Sequence, residues 1–204
     1  TLAVTGTIAL ATDSGGAATV VNASGLNLAT STLTGTFSGT ATTGDIADAG
    51  TLTITGAATF ITRVDGSNII LDSSGNAYAA QVSLLADTGG SETFGNITFV
   101  DSAGVDLDTS ASADGDLFIN AGTDGAVGGN LSITATTGNI TQVVALAVTG
   151  TSSFTTSASN GTITLDDTSN SFTGALTLST TGSSANATID GGTTALDFAT
   201  STIG

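Results

Sequence analysis

The stretch Leu146-Ala147-Val148-Thr149-Gly150-Thr151-Ser152-Ser153-Phe154 decides the fold, because it recurs. Leu52-Thr53-Ile54-Thr55-Gly56 aligns with its first five residues, 94 positions earlier, and Phe60 then falls on Phe154. The register continues without a gap. Ile69 meets Ile163, Leu71-Asp72 meets Leu165-Asp166, Asn76 meets Asn170 and Tyr78 meets Phe172. Val82-Ser83-Leu84 meets Leu176-Thr177-Leu178. Leu2 to Thr7 repeats residues 146–151 letter for letter. Matches concentrate at apolar positions, so what repeats is a buried surface. Self-similarity on this scale marks stacked units that cannot bury an apolar face alone.

Outward from this stretch, short alternating triplets fill the chain. Examples are Leu26-Asn27-Leu28, Ile97-Thr98-Phe99, Val105-Asp106-Leu107, Leu117-Phe118-Ile119 and Leu131-Ser132-Ile133. Period-two alternation, abundant Thr, Val and Ile, and Gly, Asn, Asp or Ser between the runs predict short strands. No segment of useful length has the 3.6-residue period of a helix. The fold class expected is all-β, a parallel β-helix or β-solenoid of short stacked strands. The alternative is tandem antiparallel β-sandwich domains of about 100 residues, which the 94-residue offset also allows. The whole chain, 1–204, reads as one continuous repeat array with units starting near 2, 52 and 146. At ~20 residues per coil it makes roughly ten coils, and at ~4.8 Å per strand a rod of about 50 Å.

Composition agrees. The 204 residues contain no Pro, Cys, Met, Trp or His. In a stack of coils nearly every backbone N–H is needed by a neighbour, and Pro has none. The same absences exclude thiolate metal sites, Cys nucleophiles, His bases and a Ser–His–Asp triad. One Arg against 17 acidic residues gives a net charge of −16. That charge cannot neutralise a phosphate backbone, so nucleic acid is not an expected partner. No run approaches the ~18 apolar residues of a membrane helix, and membrane insertion is not expected either.

The order Gly129-Asn130-Leu131, Gly138-Asn139-Ile140-Thr141-Gln142, Leu146 to Phe154, Ile163-Thr164-Leu165-Asp166 and Asn170 to Leu176 resembles the repeats of filamentous-haemagglutinin-like bacterial adhesins. The resemblance covers residues 50–204. It implies a right-handed parallel β-helix on a secreted or surface-anchored polypeptide, serving adhesion or acting as a stalk. No binding residue follows from it, because the repeat motif is a scaffold motif.

Candidate sites are few. Asp106, Asp108, Asp114 and Asp116 form the densest acidic patch, with Asn120 and Asp124 nearby. Oxygen ligands at such spacing suit Ca²⁺, although neither an EF-hand loop nor the glycine-rich nonapeptide is matched. The bland reading is a solvated, turn-rich insertion. Asp166-Asp167 and Asp72 suggest paired carboxylates, but neighbours on one strand point to opposite faces. A strand-ending Asx turn is the simpler role. Thr-x-Thr pairs at Thr51, Thr53, Thr55, Thr162 and Thr164, with Thr177, suit an ordered-water face, or simply exposed strand positions. Phe60 with Phe154 and Tyr78 with Phe172 read as aromatic stacking at equivalent coils.

The function expected is a structural, non-catalytic segment of a bacterial cell-surface or extracellular adhesin or filament. The other class considered is a calcium-binding surface-layer or matrix protein. The expected partners are copies of itself, stacked head-to-tail or laterally, flanking repeats, and host or cell-surface glycans or proteins.

Overall fold

The computed structural model describes residues 1–86, 95–108, 116–120 and 126–204. Twenty-three strands follow in order, and no helix occurs among the described residues. They are β1 (Thr7–Ile8), β2 (Ala18–Asn22), β3 (Leu26–Leu28), β4 (Ser31–Leu33), β5 (Phe37–Ala41), β6 (Ile46–Asp48), β7 (Leu52–Ile54) and β8 (Ala58–Thr62). Then come β9 (Ile69–Leu71), β10 (Ala77–Tyr78), β11 (Val82–Leu85), β12 (Ile97–Asp101), β13 (Val105–Leu107), β14 (Asp116–Asn120), β15 (Ala126–Val127) and β16 (Leu131–Ala135). The last are β17 (Ile140–Gln142), β18 (Ala147–Val148), β19 (Ser152–Ser159), β20 (Thr162–Leu165), β21 (Ser171–Phe172), β22 (Leu176–Thr181) and β23 (Asn186–Ile189).

All the paired strands are parallel, and, apart from β13 and β14, sequence neighbours lie in different sheets. This is a β-solenoid, not a pair of sandwiches. One sheet has eight strands, β1-β3-β6-β9-β12-β16-β19-β22. A second has nine, β2-β5-β8-β11-β14-β13-β17-β20-β23. Two three-stranded sheets, β10-β7-β4 and β15-β18-β21, complete the faces. The stack makes about seven turns rather than ten. The reason lies in the turns between strands: one full turn takes 20 residues from Leu26 to Ile46 but 34 from Ile97 to Leu131. Seven steps of ~4.8 Å give a stack of about 35 Å.

The core is a set of rows running along the axis. Leu28, Leu71, Phe99, Ile133, Phe154 and Leu178 are buried on the eight-stranded sheet, and Phe37, Phe60, Leu84, Ile140 and Ile163 on the nine-stranded one. Phe60 meets Tyr78 edge-on with ring centroids 6.4 Å apart, and Phe154 meets Phe172 edge-on at 6.1 Å. The aromatic stacking expected at equivalent coils is therefore present in both units.

The 94-residue register holds strand by strand, yet equivalent strands lie on different sheets. β8, on the nine-stranded sheet, corresponds to β19 on the eight-stranded one; β9 and β20 are exchanged in the opposite sense. In the lower turns the chain visits the eight-stranded, the first three-stranded and then the nine-stranded sheet. In the upper turns it visits the eight-stranded, the nine-stranded and then the second three-stranded sheet. The nine-stranded sheet thus moves from the third position of the turn to the second. The move occurs at β14, which enters this sheet out of chain order, between β11 and β13.

Candidate functional site

Parallel coils leave corners where polar side chains must satisfy backbone groups, and the structure concentrates its buried polar residues there. At one corner Asn76 is fully buried and its Oδ1 accepts the Leu52 N–H at 2.8 Å. Ninety-four residues on, Asn170 Oδ1 accepts the Leu146 N–H at the same 2.8 Å. Each amide needs a partner for its own NH₂. Asn76 Nδ2 donates to Asp48 Oδ2 at 2.7 Å, while Asn170 Nδ2 donates to Gln142 Oε1 at 3.0 Å. Asp48 and Gln142 are themselves equivalent positions, so a carboxylate and an amide do one job. Asp48 also accepts the N–H groups of Asp72 (2.9 Å) and Ser73 (3.2 Å).

A second polar file climbs the outside. Asp45 Oδ1 accepts the Asn68 N–H at 2.7 Å, and Asn68 Oδ1 accepts the Asn96 N–H at 2.8 Å. Asn96 Oδ1 accepts the Asn130 N–H at 2.9 Å, and Asn130 Oδ1 accepts the Thr151 N–H at 2.8 Å. Five successive coils are tied in four steps, each with a backbone N–H donating to a side-chain oxygen of the coil before. Asn96 and Asn130 begin Asn-x-Ser/Thr sequons, and here both amides serve the ladder.

Buried carboxylates are few. Asp101 is 2 % exposed, and burial pushes its carboxyl above the usual range, against the opposing pull of N–H groups from Ala103, Tyr78 and Ser102. Two buried side-chain atoms lack a hydrogen-bond partner among the described residues, the Tyr78 hydroxyl and Ser152 Oγ. In the other unit their equivalents are Phe172 and Ala58, which carry no hydroxyl.

Three of the four carboxylates of the acidic patch fall on described residues. Asp106 and Asp116 are Cα partners on adjacent strands β13 and β14. Asp106 accepts the Thr141 hydroxyl at 2.8 Å. Asp108 is buried just beyond β13. Asp114 lies outside the described residues. Among the described residues no group of three or more Asp or Glu converges as a metal site would require. Asp167 ends its strand with an Asx turn, its Oδ1 accepting the Ser169 N–H at 2.8 Å. A surface groove of about 400 Å³ near the lower end is lined by Thr5, Ser24, Leu26, Asn27 and Asp45 among others. Its one carboxylate already serves the Asn68 ladder step.

A family model described as "Repeats of unknown function (DUF5649)" matches residues 15–85 and 94–179. The chain belongs to this family. The two matches begin 79 residues apart and end 94 apart. The 15-residue difference falls between β13 and β15, where β14 is added. Neither a curated protein nor a solved structure matches the chain.

Sequence reading missed the roles of Asn76, Asn170, Asp48 and Gln142. The signal was present in the Asn76–Asn170 match. Its meaning needed the corner geometry, because only a fold shows which backbone N–H lacks a strand partner.

Proposed function

We propose that this chain is a rigid, non-catalytic structural segment of an extracellular or cell-surface adhesin-type filament. The observation that carries the reading is the unbroken stack of aliphatic and aromatic rows from β3 to β22, tied outside by the Asp45-to-Thr151 ladder. Such a body resists local opening, because each coil is held by neighbours above and below. The described polar residues support the same reading: they spend their hydrogen bonds on the backbone, and none forms a cleft with convergent acid and base groups. The sequence resemblance to haemagglutinin-like repeats, the absence of Cys and the net charge of −16 support a surface location.

The test combines proteinase K digestion, small-angle scattering and thermal melting. The expected particle is protease-resistant, retains about 35 Å of stacked coils and melts at the same temperature with and without EDTA. Loss of many degrees of Tm on chelation would favour the calcium-binding surface-layer reading instead. Release of reducing sugar from polysaccharide would overturn the non-catalytic assignment.

A further inference from the structure

Arg63 is the only basic side chain of this protein, and it stands on the link from β8 to β9. Six residues make this link, against four between β5 and β6 in the coil below, so its turn projects from the stack. Arg63, Val64 and Asp65 are all exposed. The Ser67 N–H donates to the Val64 carbonyl at 3.1 Å and closes a tight turn, with Gly66 in the left-handed region at φ 74°. The Arg63 guanidinium forms no ion pair among the described residues, not even with Asp65 beside it.

The second repeat carries the same turn without the charge. Ser157 stands at the Arg63 position, and the Gly161 N–H donates to the Ala158 carbonyl at 3.0 Å, with Asn160 at φ 61°. That turn is tied to the coil above. Ser159 pairs with Thr181, and the Asn160 N–H donates to the Thr181 carbonyl at 2.7 Å. Asn160 Oδ1 accepts the Ser184 N–H at 3.0 Å. At the Arg63 turn, Val64, Asp65 and Gly66 make no bond to a neighbouring coil among the described residues. The tie nearest the Arg63–Val64 peptide bond is the Arg63 N–H, which donates to the Ala41 carbonyl at 3.2 Å. The basic residue therefore sits on the looser of two equivalent turns, the one that opens at less cost.

We propose that the Arg63–Val64 bond is a processing site for a trypsin-like serine endopeptidase, and that the cut leaves one nicked, assembled stack. Such an enzyme needs a cationic side chain free to enter its acidic pocket, and Arg63 is free to do so. Hydrolysis adds one water across the bond. The hydroxyl goes to the Arg63 carbonyl carbon, which becomes a carboxylate, and the protons go to the Val64 nitrogen, which becomes a new amino terminus. With one Arg and no Lys, the chain offers this class of enzyme a single bond.

The cut separates β1–β8 from β9–β23, yet whole ladders cross between the two fragments. β8 pairs with β11, β7 with β10 and β6 with β9. Asn76 still holds Leu52 and Asp48, and Asn68 still holds Asp45. Phe60 still packs on Tyr78. These are the contacts that join coil to coil throughout the stack, and an outer turn contributes none of them. The inference uses the stack and goes beyond the adhesin reading.

Trypsin digestion of the native full-length chain tests it. Denaturing electrophoresis and mass spectrometry are expected to show two fragments, 1–63 and 64–204, and nothing smaller. Native size-exclusion chromatography should give one peak at the volume of the uncut chain, which splits in concentrated urea. Arg63→Gln should resist the enzyme and Arg63→Lys should still be cut, both with unchanged far-UV circular dichroism. Ser157→Arg in the Arg63→Gln background places the same side chain on the tied turn. It should be cut about tenfold more slowly than the wild-type chain, because opening there breaks more hydrogen bonds.

A native chain that stays intact under conditions that cut it in urea would overturn the proposal. So would fragments that elute apart in native buffer, or equal rates at the two turns. An uncut chain leaves the rod reading standing. Complete digestion by proteinase K overturns that reading and leaves the trypsin site in place.

Discussion

Tyr78→Phe should stabilise this protein. The Tyr78 ring is buried between Phe60, at 6.4 Å, and Phe99, stacked at 5.1 Å, and its hydroxyl has no hydrogen-bond partner among the described residues. A buried donor left unmade costs about 1–3 kcal/mol relative to water. Deleting it leaves a void the size of one oxygen. At ~24 cal/mol per Å³ a void of roughly 10–15 Å³ costs about 0.3 kcal/mol. The net expectation is a gain of about 1–2 kcal/mol. The repeat has already performed this exchange, because Phe172 stands at the equivalent place with the same edge-on contact to Phe154. Equilibrium urea unfolding at pH 7, followed by far-UV circular dichroism, measures the difference. The midpoint should rise with an unchanged slope. A loss of 1 kcal/mol or more would show that the hydroxyl has a partner, such as an interior water, and would refute the accounting.

Other outcomes follow from the same contacts. Ser152→Ala, which installs the residue found at Ala58, should raise stability by up to about 1 kcal/mol in the same urea titration. Gly150→Ala should destabilise by about 3 kcal/mol, because a Cβ there would lie 2.5 Å from the Gly129 carbonyl oxygen of the coil below; a neutral result in a thermal melt would refute the tight stacking at this corner. Asn170→Ala should cost about 2 kcal/mol, since it strands the Leu146 N–H and removes one partner of the Gln142 amide. Burial raises the Asp101 carboxyl, so the folded state binds its proton more readily than the unfolded chain. Its contribution is therefore fully present below the ordinary carboxylate value and lost as pH rises through the raised one. Stability measured between pH 4 and 7 should fall with rising pH, and Asp101→Asn should flatten that slope. The amide has a precedent in Asn22, which closes β2 as Asp101 closes β12.

Strand positions were legible because the alternation is strong. Leu26–Leu28, Ile69–Leu71 and Val105–Leu107 are strands with the bounds the triplets suggest. Leu2-Ala3-Val4 and Leu196-Asp197-Phe198 make only isolated bridges, since each lies in a terminal coil with neighbours on one side. The number of coils was not legible. A turn of 20 residues and one of 34 carry the same strand signals, and only pairing shows which strand lies over which. Which members of the acidic patch are neighbours was likewise not legible from spacing: Asp106 and Asp116 are ten residues apart, and the strand register makes them Cα partners.

The sequence by itself determined that this chain stacks. Period-two strands, the absence of Pro and a gapless 94-residue register of apolar positions are properties of the letters, and they reach only as far as local conformation and which residues are buried. The tertiary structure decided the phase. Equivalent strands such as β8 and β19 lie on different sheets because the ten strands β2 to β11 do not fill a whole number of three-sided turns. That arithmetic depends on which strands hydrogen-bond across coils, a long-range choice that no single repeat contains.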